Sequence, residues 1–110
     1  MKRTTKYITY STSSEETARF AKALSHPVRL EILKHLSKQT SCFTGDLVEI
    51  LPMAQSTISQ HLKELKEAGL IVGNVNPPRI SYCIHQKNWQ KAQDLFNTLF
   101  NQNFDNINCC

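Results

Sequence analysis

Ala54-Gln55-Ser56-Thr57-Ile58-Ser59-Gln60-His61-Leu62-Lys63-Glu64-Leu65-Lys66-Glu67-Ala68-Gly69 carries two faces of opposite character at helical spacing. Ala54, Ile58, Leu62 and Leu65 fall on one stripe and are expected to point inward. The opposite face holds Ser56, Gln60 and Lys63, flanked by Thr57 and Ser59, and Gly69 is placed as the left-handed terminator. His61 sits at the border of the apolar stripe, where its side chain is expected to pack beneath the helix. Upstream, Thr44 reads as an N-cap, Asp46 suits the positive end of a helix dipole, and Phe43 is placed to staple against Val48. Leu51-Pro52 stops this shorter helix. Two short helices joined by a tight turn, the second polar on its outward N-terminal half, make a helix-turn-helix.

The flanking segments extend that unit. Residues 1–12 read as a basic arm, and Ser13-Ser14-Glu15-Glu16 as a capping box that starts a helix through Phe20, Ala21 and Leu24. His26-Pro27 restarts the chain, with Pro27 in the first turn and Val28, Ile32, Leu33 and Leu36 as the buried face. After Gly69, Leu70-Ile71-Val72 and Ile80–Ile84 read as strands, with residues 73–79 as a hairpin tip stiffened by Pro77 and Pro78. Trp89, Ala92, Leu95, Phe96, Leu99 and Phe100 then form a strong helical stripe, before a polar tail at 101–110. The expected fold is mainly α with a small β-hairpin wing: a winged helix-turn-helix, α-α-α-α-β-β-α, over residues 13–100.

The whole chain has 110 residues, 40% of them hydrophobic and 20% charged, which suits one packed domain and excludes disorder throughout. Thirteen Lys and Arg against nine Asp and Glu leave a net charge of +4, which favours an acidic partner. No apolar run approaches the roughly 20 residues that span a bilayer, and the basic start Met1–Lys6 lacks the apolar stretch of a signal peptide. The expected setting is cytoplasmic, without a membrane partner, where thiols stay reduced. Cys42, Cys83, Cys109 and Cys110 form no CxxC pair and read as free thiols rather than as a disulfide framework. No Ser/His/Asp set, paired carboxylates or Gly-rich phosphate loop appears, so an enzyme is not expected.

Two segments, Ala23–Leu33 with its Leu24-Ser25-His26-Pro27-Val28-Arg29-Leu30 core, and Gln55–Ile71 with Ser59-Gln60-His61-Leu62 and Glu67-Ala68-Gly69-Leu70, resemble the ArsR/SmtB family of winged-helix repressors. The resemblance covers about residues 13–100. It implies a homodimer built on the first and last helices, and repression of an operon relieved by a metal, metalloid or thiol-reactive effector. The family usually carries Ser or Thr where Ala54 stands, and its absence weakens the cap by about 1 kcal/mol.

Within that frame the partner is double-stranded operator DNA. Gln55 and Gln60 pair a donor with an acceptor, as adenine recognition in the major groove requires. Ser56, Thr57 and Ser59 are short enough to reach phosphates, Lys63 adds a point charge, and Arg79 on the wing can enter a neighbouring minor groove. The Trp89–Phe100 stripe offers a surface for pairing two copies across a palindromic site.

No cofactor is expected for DNA binding itself. The family's zinc-type site needs histidines on the last helix, and none follows His85; His26, His35, His61 and His85 read as caps or half-buried side chains. The family's arsenite-type site places CxC before Asp-Leu, and here Cys42 precedes Asp46-Leu47 while Cys109-Cys110 ends the chain. The resemblance therefore points to a thiol effector, first As(III) or Sb(III) held by Cys42, Cys109 and Cys110, since these soft ions take three thiolates. A redox or persulfide switch on the same thiols is the alternative, with Cys83 expected to be structural. Two rivals stay open: a DNA-binding protein that senses nothing, and a winged helix that binds protein.

Overall fold

The computed structural model describes residues 9–39, 47–76 and 79–104, including all their side chains but those of Val48, Val75, Asn76 and Arg79. Among these residues the order is α1 (Thr12–Ala23), α2 (Pro27–Ser37), α3 (Leu47–Ile50), α4 (Gln55–Glu67), β1 (Ile71–Asn76), β2 (Arg79–Ile84) and α5 (Gln86–Phe100). This is the expected winged-helix sequence of elements, with the strands paired antiparallel.

α1 starts earlier than the capping box implies. Ser11, not Ser13, is the N-cap: its Oγ accepts from the Ser14 amide at 3.1 Å. Glu16 is thereby released from a capping role, and its carboxylate pairs with Lys91 of α5. α2 opens as anticipated, with Pro27 in the first turn and His26 as N-cap, its Nδ1 accepting from the Val28 amide at 3.0 Å. Ile32, Leu33 and Leu36 are buried, and Val28 packs against them while half-buried. The Thr44 cap, Asp46 and the Phe43–Val48 staple lie outside the described residues or side chains.

Ile58, Leu62 and Leu65 of α4 enter a core shared with Phe20, Ile32, Leu36, Leu70 and Ile71. Each fully buried aliphatic side chain contributes about 1.5–3 kcal/mol, so three on one stripe fix which face of α4 turns outward. Ala54 does not join them: it is exposed, because it is the cap residue in extended backbone rather than part of the helix.

Gly69 ends α4 at φ 87°, a conformation other L residues rarely adopt. A Cβ there would also stand 2.8 Å from Asn88 Nδ2, which donates to the Gly69 carbonyl at 2.9 Å. The His85 amide in turn donates to the Leu70 carbonyl at 2.9 Å, so the start of β1 and the start of α5 are bonded together. The wing is longer than the sequence suggests. Pairing runs from Ile71↔Ile84 out to Asn76↔Arg79, so residues 73–76 and 79 belong to strands rather than to the tip. Strand pairing thus continues on both sides up to the residues flanking Pro77-Pro78.

Candidate nucleic-acid interface

The site begins with what α4 buries. With Ile58, Leu62 and Leu65 in the core, Gln55, Ser56, Thr57, Ser59, Gln60 and Lys63 are all exposed along the opposite side. The first turn has no side-chain cap, as Ala54 cannot provide one. Its free amides, ahead of Thr57 whose N–H already bonds to the Ala54 carbonyl, adjoin the hydroxyls of Ser56 and Thr57, donors suited to an anion at a helix N-terminus. Arg79 opens β2, opposite Asn76 at the outer end of the wing.

A polar anchor holds α4 at this height. His61 is buried, with 8% of its surface exposed, and its Nδ1 accepts from Arg29 Nε at 3.2 Å. The same guanidinium donates to the Lys22 and Ala23 carbonyls, at 3.2 and 3.4 Å, in the last turn of α1. The His26 ring lies 4.3 Å from that of His61. Burial, followed by the charges of His26 and Arg29, pushes the His61 pKa below 6.5, with Glu64 opposing weakly. The neutral imidazole is what the arrangement needs, since a protonated Nδ1 cannot accept from Arg29.

Sequence reasoning placed His61 beneath the helix correctly and missed its partner. Arg29 falls on the outward side of the α2 pattern, and only folding brings it across to α4, 32 positions away. His26 and His85 are caps, His85 Nδ1 accepting from the Asn88 amide at 3.1 Å.

The cysteines differ from expectation. Cys83 on β2 is disulfide-bonded rather than a free thiol. Cys42, Cys109 and Cys110, the expected thiol set, lie outside the described residues. Among the described residues no cluster of three or more His, Cys, Asp and Glu side chains could hold a metal ion. No described helix is long and apolar enough to cross a membrane.

Beyond the wing, α5 packs Ala92, Trp89, Leu95 and Phe96 toward the core. Leu99 and Phe100 remain 52% and 74% exposed, Phe100 stacking on Phe96 at 6.4 Å between ring centres. A cleft of about 350 Å³ beside them is lined by Leu24, Leu70, Trp89, Ala92, Gln93 and Phe96.

Comparison with known proteins agrees with this architecture. Residues 26–72 match the family described as "Bacterial regulatory protein, arsR family". The chain is 40% identical over 72 residues to the HTH-type transcriptional regulator YgaV of Escherichia coli, spanning 66% of this chain and 73% of that one. It is 34% identical over 96 residues to the arsenical resistance operon repressor of Staphylococcus xylosus, spanning 87% and 84%. Among solved structures, reduced HlyU from Vibrio cholerae superposes with a TM-score of 0.62 at 27% identity, over 81% of this chain and 93% of that one.

Proposed function

Because the chain belongs to the ArsR family of bacterial regulatory proteins, we propose that its DNA-binding surface is the outward face of α4 and that its cysteines control release. The observation that carries this reading is the two-sided α4: Ile58, Leu62 and Leu65 are locked in the core while Gln55, Ser56, Thr57, Ser59, Gln60 and Lys63 are exposed together. Gln55 and Gln60 offer paired donors and acceptors to base edges, and the hydroxyls and Lys63 reach phosphates. Arg79 at the outer end of the wing adds a contact beyond the helix. Two copies, paired through α1 and the exposed apolar end of α5, would present two such helices to a palindromic operator.

Control through thiols is supported by the disulfide at Cys83. Forming it removes two electrons and two protons from a pair of thiols, so an oxidant must accept them. Cys83 lies on β2 of the wing, so its oxidation bears on an element packed beside the recognition helix. Coupling of this kind typically amounts to about 1–3 kcal/mol, enough to empty an operator near saturation. The second reading, a trivalent metalloid held by Cys42, Cys109 and Cys110, is favoured by the similarity to an arsenical resistance operon repressor.

The test is fluorescence anisotropy on duplex DNA from the upstream region, with the protein reduced and then exposed separately to diamide and to arsenite. Release by diamide, reversed by dithiothreitol and abolished by Cys83→Ser, is the expected result. Release by arsenite alone would replace oxidation with the metalloid, and indifference to both would remove thiol control.

A further inference from the structure

We propose that the cleft between α4 and β2 seats one phosphate of the DNA backbone, held by Lys66 together with Lys63, Ser59 and the Tyr82 hydroxyl. The inference rests on the operator-binding reading above and adds to it a contact on the C-terminal half of α4, which the sequence pattern did not single out.

The cleft measures about 300 Å³ and is lined by Ser59, Leu62, Lys63, Lys66, Glu67 and Tyr82. Ser59, Lys63 and Lys66 recur at i, i+4 and i+7, so they stand above one another on the side of α4 that meets the wing. Leu62 is buried and forms the floor.

The wall opposite is shaped by Gly73. It pairs with Tyr82 across the hairpin, and a Cβ at Gly73 would stand 3.3 Å from Tyr82 Cε1 and 3.5 Å from Lys66 Nζ. The bare backbone at Gly73 thus lets the tyrosine ring and the lysine ammonium lean together over β1. Lys66 is thereby directed across the helix–wing gap rather than along α4.

The charges suit a single phosphodiester. Two ammonium groups and one carboxylate line the cleft, a surplus of one positive charge against one negative charge on the ligand. The ion pairs among the described residues are Lys34–Glu31 and Lys91–Glu16, and neither uses Lys63 or Lys66. Geometry agrees: when the N-terminal half of a recognition helix enters the major groove, its other half rises toward the groove wall, where backbone phosphates lie. A lysine there positions the protein on the duplex without reading sequence.

The experiment measures binding of reduced protein to upstream DNA from about 50 to 200 mM salt, for the unaltered chain, Lys66→Ala and Lys34→Ala. Each phosphate contact contributes about 0.9 to the slope of log K against log salt. Lys66→Ala should lower the slope by about 0.9 per bound protomer while the preference for upstream over unrelated DNA persists. Lys34→Ala, which removes an equal charge on α2, should leave the slope unchanged. Duplexes bearing single methylphosphonates should then show one position per half-site at which neutralising the phosphate weakens the unaltered protein and not Lys66→Ala. An unchanged slope for Lys66→Ala, with preferential binding intact, overturns the cleft alone. No preference in the unaltered protein overturns the operator reading and the cleft with it.

Discussion

Arg29 and His61 show how much of this molecule depends on one side-chain pair. A single guanidinium bonds the end of α1 and the middle of α4 at once, which links the helix expected to pair subunits with the helix expected to touch DNA. His61 is neutral in this bond, and its folded pKa lies below 6.5 because of burial and the adjacent His26 and Arg29 charges, partly offset by Glu64. The sign follows directly. Above about pH 6.5 the His61 contribution to stability is complete, and it is lost as pH falls from there through the lowered folded value, because the unfolded chain takes up the proton first. Thermal unfolding between pH 5 and 8 should therefore show stability falling on the acid side, with a shallower fall in His61→Gln. An equal fall in both would mean that His61 is not the group responsible. The burial of His61 was legible from its place beside the apolar stripe. Arg29 was not, because a partner supplied across 32 positions leaves no local pattern.

At the scale of elements, the periodic segments were the legible ones. Of the α4 stripe, Ile58, Leu62 and Leu65 are buried as expected because helical spacing determines which residues share a face, whereas Ala54 precedes the helix and is exposed. Ends were harder. Ser11 and Ser13 are both competent N-caps, and the choice depends on Glu16 being drawn toward Lys91 on α5, a tertiary pairing invisible in the local sequence. Ser11→Ala should accordingly cost about 0.5–2 kcal/mol in denaturant unfolding, whereas Ser13→Ala should cost little. The reverse order would restore the capping box. The wing extended beyond expectation for a related reason: Asn74 and Asn76 have weak strand character alone, and pairing of residues 74–76 with Arg79–Ser81 holds them in register. The six donor-bearing positions of α4 were readable as an exposed row, but Lys66 was not, since its role depends on Gly73 and Tyr82 arriving from another element.

For the whole molecule, two surfaces stand apart. One is the polar row of α4 with the wing beside it, and the other is the apolar end of α5 with Leu99 and Phe100 exposed. A domain of 110 residues offers few base contacts alone, and doubling them through the second surface gives the first its reach. The cysteines lie outside what local pattern could settle. Their spacing showed no CxxC pair, and the disulfide at Cys83 involves a wing residue whose alternation with Ile84 and Tyr82 suggested only packing.

The most direct test of the DNA-binding claim is anisotropy of the reduced protein on duplex DNA from its upstream region and on a shuffled duplex of equal length, repeated with Gln60→Ala. Preferential binding to the upstream duplex is the expected result. Gln60→Ala should lose about 1–3 kcal/mol of that preference while binding the shuffled duplex as before. Equal affinity for both duplexes, or a Gln60→Ala protein that discriminates as well as the unaltered chain, would contradict that claim.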